Sequence, residues 1–224
     1  MNPKASRETL SPPLIPLSGR LAAEPFIYLA SQSPRRTQLL DQMGIKHTLL
    51  LPDAAEDAES LEVVRPGEAP LAYVRRVTGR KLDAAVARLA LRGLENAPIL
   101  CADTTVALGR EIFGKPASPA DAERMLLALS GKTHRVLSAV ALHHRGQRYC
   151  AVSVSRVSFQ VLSDRTIAQY IASGEPFGKA GAYAVQGKMA TYIHHISGSY
   201  SGIMGLPVFE TGQLLQTSGW LLYP

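Results

Sequence analysis

Cysteine is scarce in this sequence, and long apolar runs are missing. Only two cysteines occur among 224 residues, which excludes a disulfide-stapled scaffold and suits a reducing compartment such as the cytoplasm. Cys101 and Cys150 both lie in apolar segments, so we expect buried thiols rather than a disulfide or a metal-binding pair. No apolar run reaches about 18 residues, which excludes a transmembrane helix.

Basic residues never form a run of five or six, and aromatic residues make up only 6% of the chain. This combination does not indicate a surface that binds nucleic acid stably. The net charge of +6 fits an anionic ligand, or simply solubility. A hydrophobic content of 46% is enough for the core of one large domain or of two small lobes.

The first 24 residues differ from the rest of the chain. Their stretch LSPPLIPLSG is interrupted by prolines and has no continuous apolar core, so a signal peptide is not indicated. We predict that residues 1–24 are a loosely ordered N-terminal extension and that residues 25–224 form the folded domain.

Apolar periodicity in the folded domain predicts the element order β-α-β-α-β-β-α-β-β-α-β-α. This order is typical of an α/β protein with a mixed sheet. Two long strand patterns, Thr133–Leu142 and Arg148–Leu162, are joined by a turn at Gly146 and predict an extended, twisted hairpin that forms a second lobe. A strand is predicted over Met189–Ile196, and a final helix begins near Gly205.

The stretch Leu29–Leu40, with the sequence LASQSPRRTQLL, predicts a strand end, a polar loop and a helix start. Ser33 is a candidate N-cap and Pro34 suits the first helical position. Arg35 and Arg36 then oppose the helix dipole. Two arginines at this place are explained by a bound anion such as phosphate, although solvated arginines on a capped surface helix are the alternative.

Three further places could carry chemistry. Asp103 follows the apolar run PILCA, where a carboxylate is costly to bury unless it is paired or metal-bound; a structural aspartate held by backbone donors is the alternative. The acidic segment, defined as residues 52–67, could supply a lid or a metal ligand, or be a solvated loop. The glycine-rich segment, residues 174–187, would let backbone approach a ligand, and its Gln186 offers a base edge both a donor and an acceptor.

Six motifs, in order along the chain, resemble the Maf family of nucleoside triphosphate pyrophosphatases, and the resemblance covers about residues 26–215. They are SQSPRR at Ser31–Arg36, ADTTV at Ala102–Val106, GKP at Gly114–Pro116, SGKTHRVLSAVAL at Ser130–Leu142, KAGAYAVQG at Lys179–Gly187 and GSYSGIMGLP at Gly198–Pro207.

The resemblance implies an elongated, twisted mixed sheet with two α/β lobes and a central cleft, as in inosine triphosphatases. It implies a cytoplasmic enzyme, often a homodimer, that uses Mg²⁺ or Mn²⁺ and cleaves a nucleoside triphosphate between its α and β phosphates. By motif, Asp103 is the catalytic acid–base residue and a metal ligand, and Glu56 of the acidic segment is the second metal ligand, with Glu111 as the alternative. Substrate binding would then fall to Ser31, Ser33, Arg35, Arg36, Lys81, Thr104, Lys115, Lys179 and Gln186.

The family divides into a dTTP/UTP branch and a 7-methyl-GTP branch. Arg36, Thr104 and Gln186 match the first branch in position and residue type, so we expect dTTP and UTP, or modified pyrimidine nucleotides, as substrates. Two alternatives stay open: a 7-methyl-GTP pyrophosphatase, and a nucleotide-binding regulator of cell division without turnover.

Overall fold

The computed structural model describes residues 26–54, 56–57 and 60–220, so the predicted extension at residues 1–24 lies outside the described residues. The strands are β1 (Ile27–Leu29), β2 (His47–Leu49), β3 (Ile99–Leu108), β4 (Glu111–Phe113), β5 (Thr133–His144), β6 (Gln147–Phe159) and β7 (Ile193–Ser197). The α-helices are α1 (Pro34–Gln42), α2 (Pro70–Leu91), α3 (Pro119–Leu129), α4 (Asp164–Ala172), α5 (Tyr200–Met204) and α6 (Val208–Thr217). In the described part of the chain, none of these helices has the length and apolar character that a membrane span requires.

The strands form one mixed sheet in the order β2-β1-β3-β5-β6-β7, and β4 pairs with β3 beside this path. Strand β1 is parallel to β2 and to β3, whereas the other pairs are antiparallel. Helix α1 makes the crossover that the parallel pair β1–β2 requires. The architecture confirms the α/β fold with a mixed sheet that the element order predicts.

Strands β5 and β6 form the predicted long hairpin, and they pair along the whole of β5. The two turn residues, Arg145 and Gly146, have φ values of 49° and 73°. A two-residue turn with both φ values positive follows the right-handed twist of the flanking strands. The turn predicted at Gly146 is therefore confirmed.

Two apolar clusters use different halves of β3 on the same face of the sheet. Leu100 and Ala102 pack into a cluster with residues of α1 and α6, and Val106 packs into a second cluster with residues of α3 and α4. Asp103 and Thr104 lie between these two groups. Strand β5 contributes to both clusters, with Val136 in one and Val140 in the other, so the long hairpin spans two cores and does not by itself form the second lobe that the sequence predicted.

Helix α2 covers the opposite face of the sheet, where its apolar residues pack with Cys101 and Ala107 of β3. Successive side chains of a strand point to opposite faces. Asp103 therefore belongs to the α2 face and Thr104 to the other face. These two neighbouring residues reach different partners.

One edge of β3 is free between β1 and β4. Strand β1 pairs with Ile99 and Leu100, and β4 pairs with Val106, Ala107 and Leu108. Within the described residues, no strand pairs with residues 101–105 on that edge. Helices α1 and α2 pack on opposite faces beside this gap, which makes it the kind of switch point where α/β sheets bind ligands.

One predicted strand begins later than expected, and one helix of the structure has no counterpart among the predicted elements. The strand predicted over Met189–Ile196 starts only at Ile193, because Lys188–Tyr192 forms a 3₁₀ turn. Helix α5 was not predicted, because five residues with a glycine inside are too few for helical periodicity. Of the two cysteines, Cys101 is buried as expected, whereas Cys150 is exposed; both are free thiols.

Candidate active site

A cleft of about 700 Å³ opens at the free edge of β3. Its lining includes ten of the side chains predicted for the site: Ser31, Ser33, Arg35, Arg36, Lys81, Asp103, Thr104, Lys115, Lys179 and Gln186. Glu56, the remaining predicted residue, is not part of the lining. The fold thus gathers residues from distant parts of the chain into one crevice.

The start of α1 contributes hydroxyl groups to this cleft. Ser33 occupies the N-cap position, but its side chain makes no capping hydrogen bond, in contrast to the cap expected from the sequence. Its backbone N–H instead donates to Ser31 Oγ at 3.2 Å. Because the Ser33 hydroxyl is not used by the helix, it is available to a ligand at the positive end of the helix dipole.

The two arginines of α1 are held by the end of α5. Arg35 Nε donates to the Met204 carbonyl at 3.0 Å and Arg36 Nε to the Gly205 carbonyl at 2.9 Å. Burial lowers the pKa of Arg35 and of Arg36, where the charge of Asp103 acts in the opposite direction. The protein thus places two partly desolvated cations in the cleft, where an anion would relieve the cost of their burial.

Lys81 of α2 joins two carboxylates in the cleft. Its Nζ donates to Asp103 Oδ1 and to Glu62 Oε1, each at 2.6 Å. Lys115 Nζ donates to Glu62 Oε2 at 3.0 Å. Burial alone would raise the pKa of the Glu62 carboxyl, but the charges of Lys81 and Lys115 outweigh it and lower that pKa. Glu62 is therefore a carboxylate at neutral pH.

The backbone around Glu62 is fixed by two side chains of α2. Tyr73 donates its hydroxyl to the Glu62 carbonyl at 2.8 Å. Arg76 donates to the Val63 carbonyl at 2.9 Å and binds both oxygens of Glu68 at 2.6 and 2.7 Å. The hydrogen bonds from Arg76 lower the pKa of Glu68 to about 2.

The structure places Glu62, rather than Glu56, beside Asp103, and this corrects the choice made from the motifs. Both carboxylate oxygens of Glu56 are bound by Arg88, at 2.7 and 2.6 Å. Arg88 is buried, and a buried guanidinium needs such a partner. The sequence offered one weak signal for Glu62, its apolar neighbours Leu61 and Val63, which are unusual in a solvated acidic loop.

The other end of the cleft is polar but not acidic. Thr104 Oγ1 lies 2.9 Å from Ser138 Oγ, and Gln186 is exposed on the glycine-rich segment. Lys179 donates its ammonium to the Glu175 carbonyl. Burial, followed by the charge of Arg35, lowers the pKa of Lys179. This end combines a cation with an amide that can both donate and accept hydrogen bonds.

Of the cleft-lining residues that the structure describes, Asp103 and Glu62 carry the carboxylates available to a divalent cation. Among the described residues, no three His, Cys, Asp or Glu side chains form a group that could hold a metal ion by itself. Mg²⁺ commonly takes one or two carboxylates and completes its shell with water and substrate phosphates. The donor set therefore fits a cation that arrives with a phosphorylated ligand.

Comparison with known proteins finds one matching family and several similar proteins that carry the same name. The model of a family described as Maf-like protein matches residues 26–218. A dTTP/UTP pyrophosphatase of Albidiferax ferrireducens is 66% identical over 195 residues, which cover 87% of this chain and 98% of the relative. Proteins of the same name from Polaromonas sp. and Ralstonia nicotianae are each 60% identical, over 89% and 87% of this chain and 98% and 94% of the relatives.

Proposed function

The chain belongs to the family of Maf-like proteins, and from this premise we infer that it hydrolyses dTTP and UTP to the nucleoside monophosphate and pyrophosphate. Relatives that share 54–66% of its residues carry the name dTTP/UTP pyrophosphatase. The alternative of a 7-methyl-GTP pyrophosphatase finds no support among these names.

One observation carries the proposal: a single cleft brings cations from four parts of the chain to a pair of carboxylates. Arg36 lines the cleft with Lys81, Lys115 and Lys179, and Asp103 lies at the free edge of β3 between the two lobes. A nucleoside triphosphate carries about four negative charges, so its binding requires such cations. A non-catalytic regulator would need the cations but not the carboxylates.

The cations and hydroxyls bind the phosphates in this mechanism. Arg35 and Arg36 are oriented by carbonyls of the chain, so their remaining N–H groups are directed before the ligand arrives. Preorganised donors stabilise the charge that develops on the leaving pyrophosphate without a cost of reorganisation during the reaction. Ser31 and Ser33 add hydroxyl contacts at the start of α1.

Asp103 positions the attacking water and accepts its proton. Within the described residues, no serine or cysteine of the cleft forms a hydrogen bond to a histidine, so the site lacks the arrangement of an activated side-chain nucleophile. Lys81 fixes Asp103 Oδ1 through a hydrogen bond of 2.6 Å. The proton acceptor is thereby held in one orientation.

We further propose that Asp103 and Glu62 hold Mg²⁺ or Mn²⁺ together with the substrate phosphates. Such a cation would neutralise phosphate charge and polarise the bond that is cleaved. The replacement of Glu56 by Glu62 in this role follows from the contacts of Arg88 and Lys81 described above.

The proposal also includes a cytoplasmic location and a homodimer, both of which the Maf resemblance implies. Sedimentation analysis of the full chain tests the dimer, because a monomer and a dimer of this chain differ twofold in mass.

The experiment that tests the activity is incubation of the protein with a panel of nucleoside triphosphates and Mg²⁺, followed by identification of the products. We expect dTTP and UTP to yield monophosphate and pyrophosphate. Binding without any product would favour the regulator, and turnover of 7-methyl-GTP alone would favour the other branch.

The variant Asp103→Asn tests the mechanism. It removes the proton acceptor but keeps the shape of the side chain, so kcat should fall about 1,000-fold or more while the fold and nucleotide binding persist. Circular dichroism and equilibrium binding of dTTP provide the controls. Retained turnover in this variant would remove Asp103 from its proposed role.

A further inference from the structure

Glu175 has no part in the mechanism above, yet its carboxylate binds two separate elements beside the cleft. Oε1 accepts a hydrogen bond from the Tyr170 hydroxyl at 3.0 Å. The backbone N–H of Lys188 donates to both carboxylate oxygens, at 3.0 and 3.3 Å. The carboxylate therefore ties the end of the glycine-rich segment to helix α4.

The Tyr170 hydroxyl and the backbone carbonyl of Glu175 hold the glycine-rich segment at two further positions. Tyr170, whose hydroxyl donates to Glu175, accepts a hydrogen bond from the backbone N–H of Ala184 at 3.2 Å. The Glu175 carbonyl accepts the ammonium of Lys179. Gln186 lies between the two backbone N–H groups that this network binds, so its backbone is fixed from both sides.

Gly187 shows how closely the carboxylate approaches the segment. Its φ and ψ are −102° and −159°, an extended conformation that any residue adopts. A Cβ added here would nevertheless lie 1.9 Å from Glu175 Oε1, and its three nearest atoms all belong to the Glu175 carboxyl group. Glycine at this position is therefore required by Glu175 and not by the backbone.

We propose that Glu175 is a positioning residue that fixes the Gln186 amide against the base of the substrate and so sets the discrimination between pyrimidine bases. This inference rests on the proposed function. Uracil and thymine present an acceptor at O4 and a donor at N3, whereas cytosine presents the reverse pattern. A glutamine amide reads such a pattern only when its position is fixed.

Steady-state kinetics of four proteins with UTP, dTTP and CTP test this inference: the wild type, Glu175→Ala, Glu175→Gln and Gly187→Ala. In Glu175→Ala we expect KM for UTP to rise about tenfold while kcat changes less than about threefold, and the preference for UTP over CTP to fall at least about fivefold. Glu175→Gln keeps an oxygen acceptor, so it should stay within about threefold of the wild type.

The double variant Glu175→Ala/Gly187→Ala supplies the sharpest comparison. Alone, Gly187→Ala pushes the carboxylate out of its hydrogen bonds and should reproduce the effect of Glu175→Ala. Without the carboxylate, the added Cβ has lost its three nearest contacts, so the double variant should match Glu175→Ala within about twofold. A purely additive result would contradict the proposal.

Failure of a variant to fold, unchanged kinetics of the folded variants and absence of turnover in the wild type each have a distinct meaning. If Glu175→Ala does not fold, Tyr170→Phe removes only the hydroxyl that joins Glu175 to Ala184, and it should show the same loss of preference with a normal circular dichroism spectrum. If the folded variants keep the KM and preference of the wild type, the inference is overturned while the proposed function stands. A wild type without turnover of UTP and dTTP would instead overturn the proposed function.

Discussion

The acidic segment and the glycine-rich segment both bring side chains into the cleft. Cationic side chains hold the first segment in place, and an anionic side chain holds the second. Neither contains a strand or an α-helix among its described residues. Arginines of α2 hold the acidic segment: Arg76 binds the Val63 carbonyl, together with Glu68 just beyond the segment, and Arg88 binds Glu56. A carboxylate, that of Glu175, holds the end of the glycine-rich segment through the backbone N–H of Lys188 and the hydroxyl of Tyr170.

The difference follows from what each segment presents to the substrate. The acidic segment presents the carboxylate of Glu62. The arginines that hold this segment also offset its negative charges. The glycine-rich segment presents Lys179 and an amide, and the group that holds it is the Glu175 carboxylate. The charge of this carboxylate favours the Lys179 ammonium, while the neutral backbone carbonyl of Glu175 accepts the hydrogen bond from that ammonium. Each irregular segment is thus stabilised by the charge opposite to its functional group, which compensates for the missing regular hydrogen bonds.

The largest expected effect on activity in this comparison comes from Glu62→Gln, which is compared with Glu56→Gln as the control. Neutral glutamine at position 62 loses the charge that attracts Lys81, Lys115 and a divalent cation, so kcat should fall about 100-fold with little change of KM for dTTP. Glu56 itself is not part of the cleft lining, although its partner Arg88 is, so the Glu56 variant should keep kcat within about twofold. Equal losses in both variants would contradict the division of roles.

Unfolding at low pH provides a second test, because the titratable groups packed against the two segments change charge in different pH ranges. His134 is buried and packs edge-on against Tyr183 of the glycine-rich segment and against Phe159. Its Nε2 pairs with the Tyr183 hydroxyl at 2.8 Å, and its Nδ1 has no partner among the described residues. Burial lowers the pKa of His134 to about 4 from its ordinary value of 6.5.

The unfolded chain binds this proton near pH 6.5 and the folded chain only near pH 4, so stability is full above pH 6.5 and falls as the pH drops toward 4. Between pH 7 and pH 5 we expect the free energy of unfolding to fall by about 2 kcal/mol. Urea unfolding of the wild type and of His134→Gln measures this, and the variant should lose most of that dependence. The Glu68 carboxyl, which Arg76 binds one residue beyond the acidic segment, has its pKa lowered to about 2 from 4.5. Its contribution to stability is therefore present above about pH 4.5 and is lost as the pH falls toward 2.

The smallest expected effect comes from Arg76→Lys, with Arg80→Lys as the matched control. Lysine keeps the charge but cannot bind both oxygens of Glu68 and the Val63 carbonyl together, so Glu62 should be held less firmly. We expect kcat to fall about fivefold and stability by about 1 kcal/mol. Arg80 is exposed on the same helix, so its variant should change neither quantity. An unchanged kcat in Arg76→Lys would show that the position of Glu62 does not depend on the hydrogen bonds of Arg76.

Much of the fold could be predicted because its signals are local. The alternation in β5 and β6, the turn at Gly146 and the helical pattern of α2 each depend on neighbours a few residues away. Helix α5 escaped prediction because its role is not local: its last carbonyls orient Arg35 and Arg36, which lie 169 positions away in the chain.

The candidate site shows the same division. Residue types by themselves made Asp103, Arg35 and Arg36 candidates, since a carboxylate within a buried strand and paired arginines at a helix start are unusual on energetic grounds. The lysines became candidates only through the Maf resemblance. Only the tertiary structure distinguished Glu62 from Glu56 and showed that the Glu175 carboxylate binds Tyr170 and Lys188. The physical reason is that several carboxylates of one loop are equivalent in sequence, and they become different only when packing assigns one to Arg88 and another to Lys81.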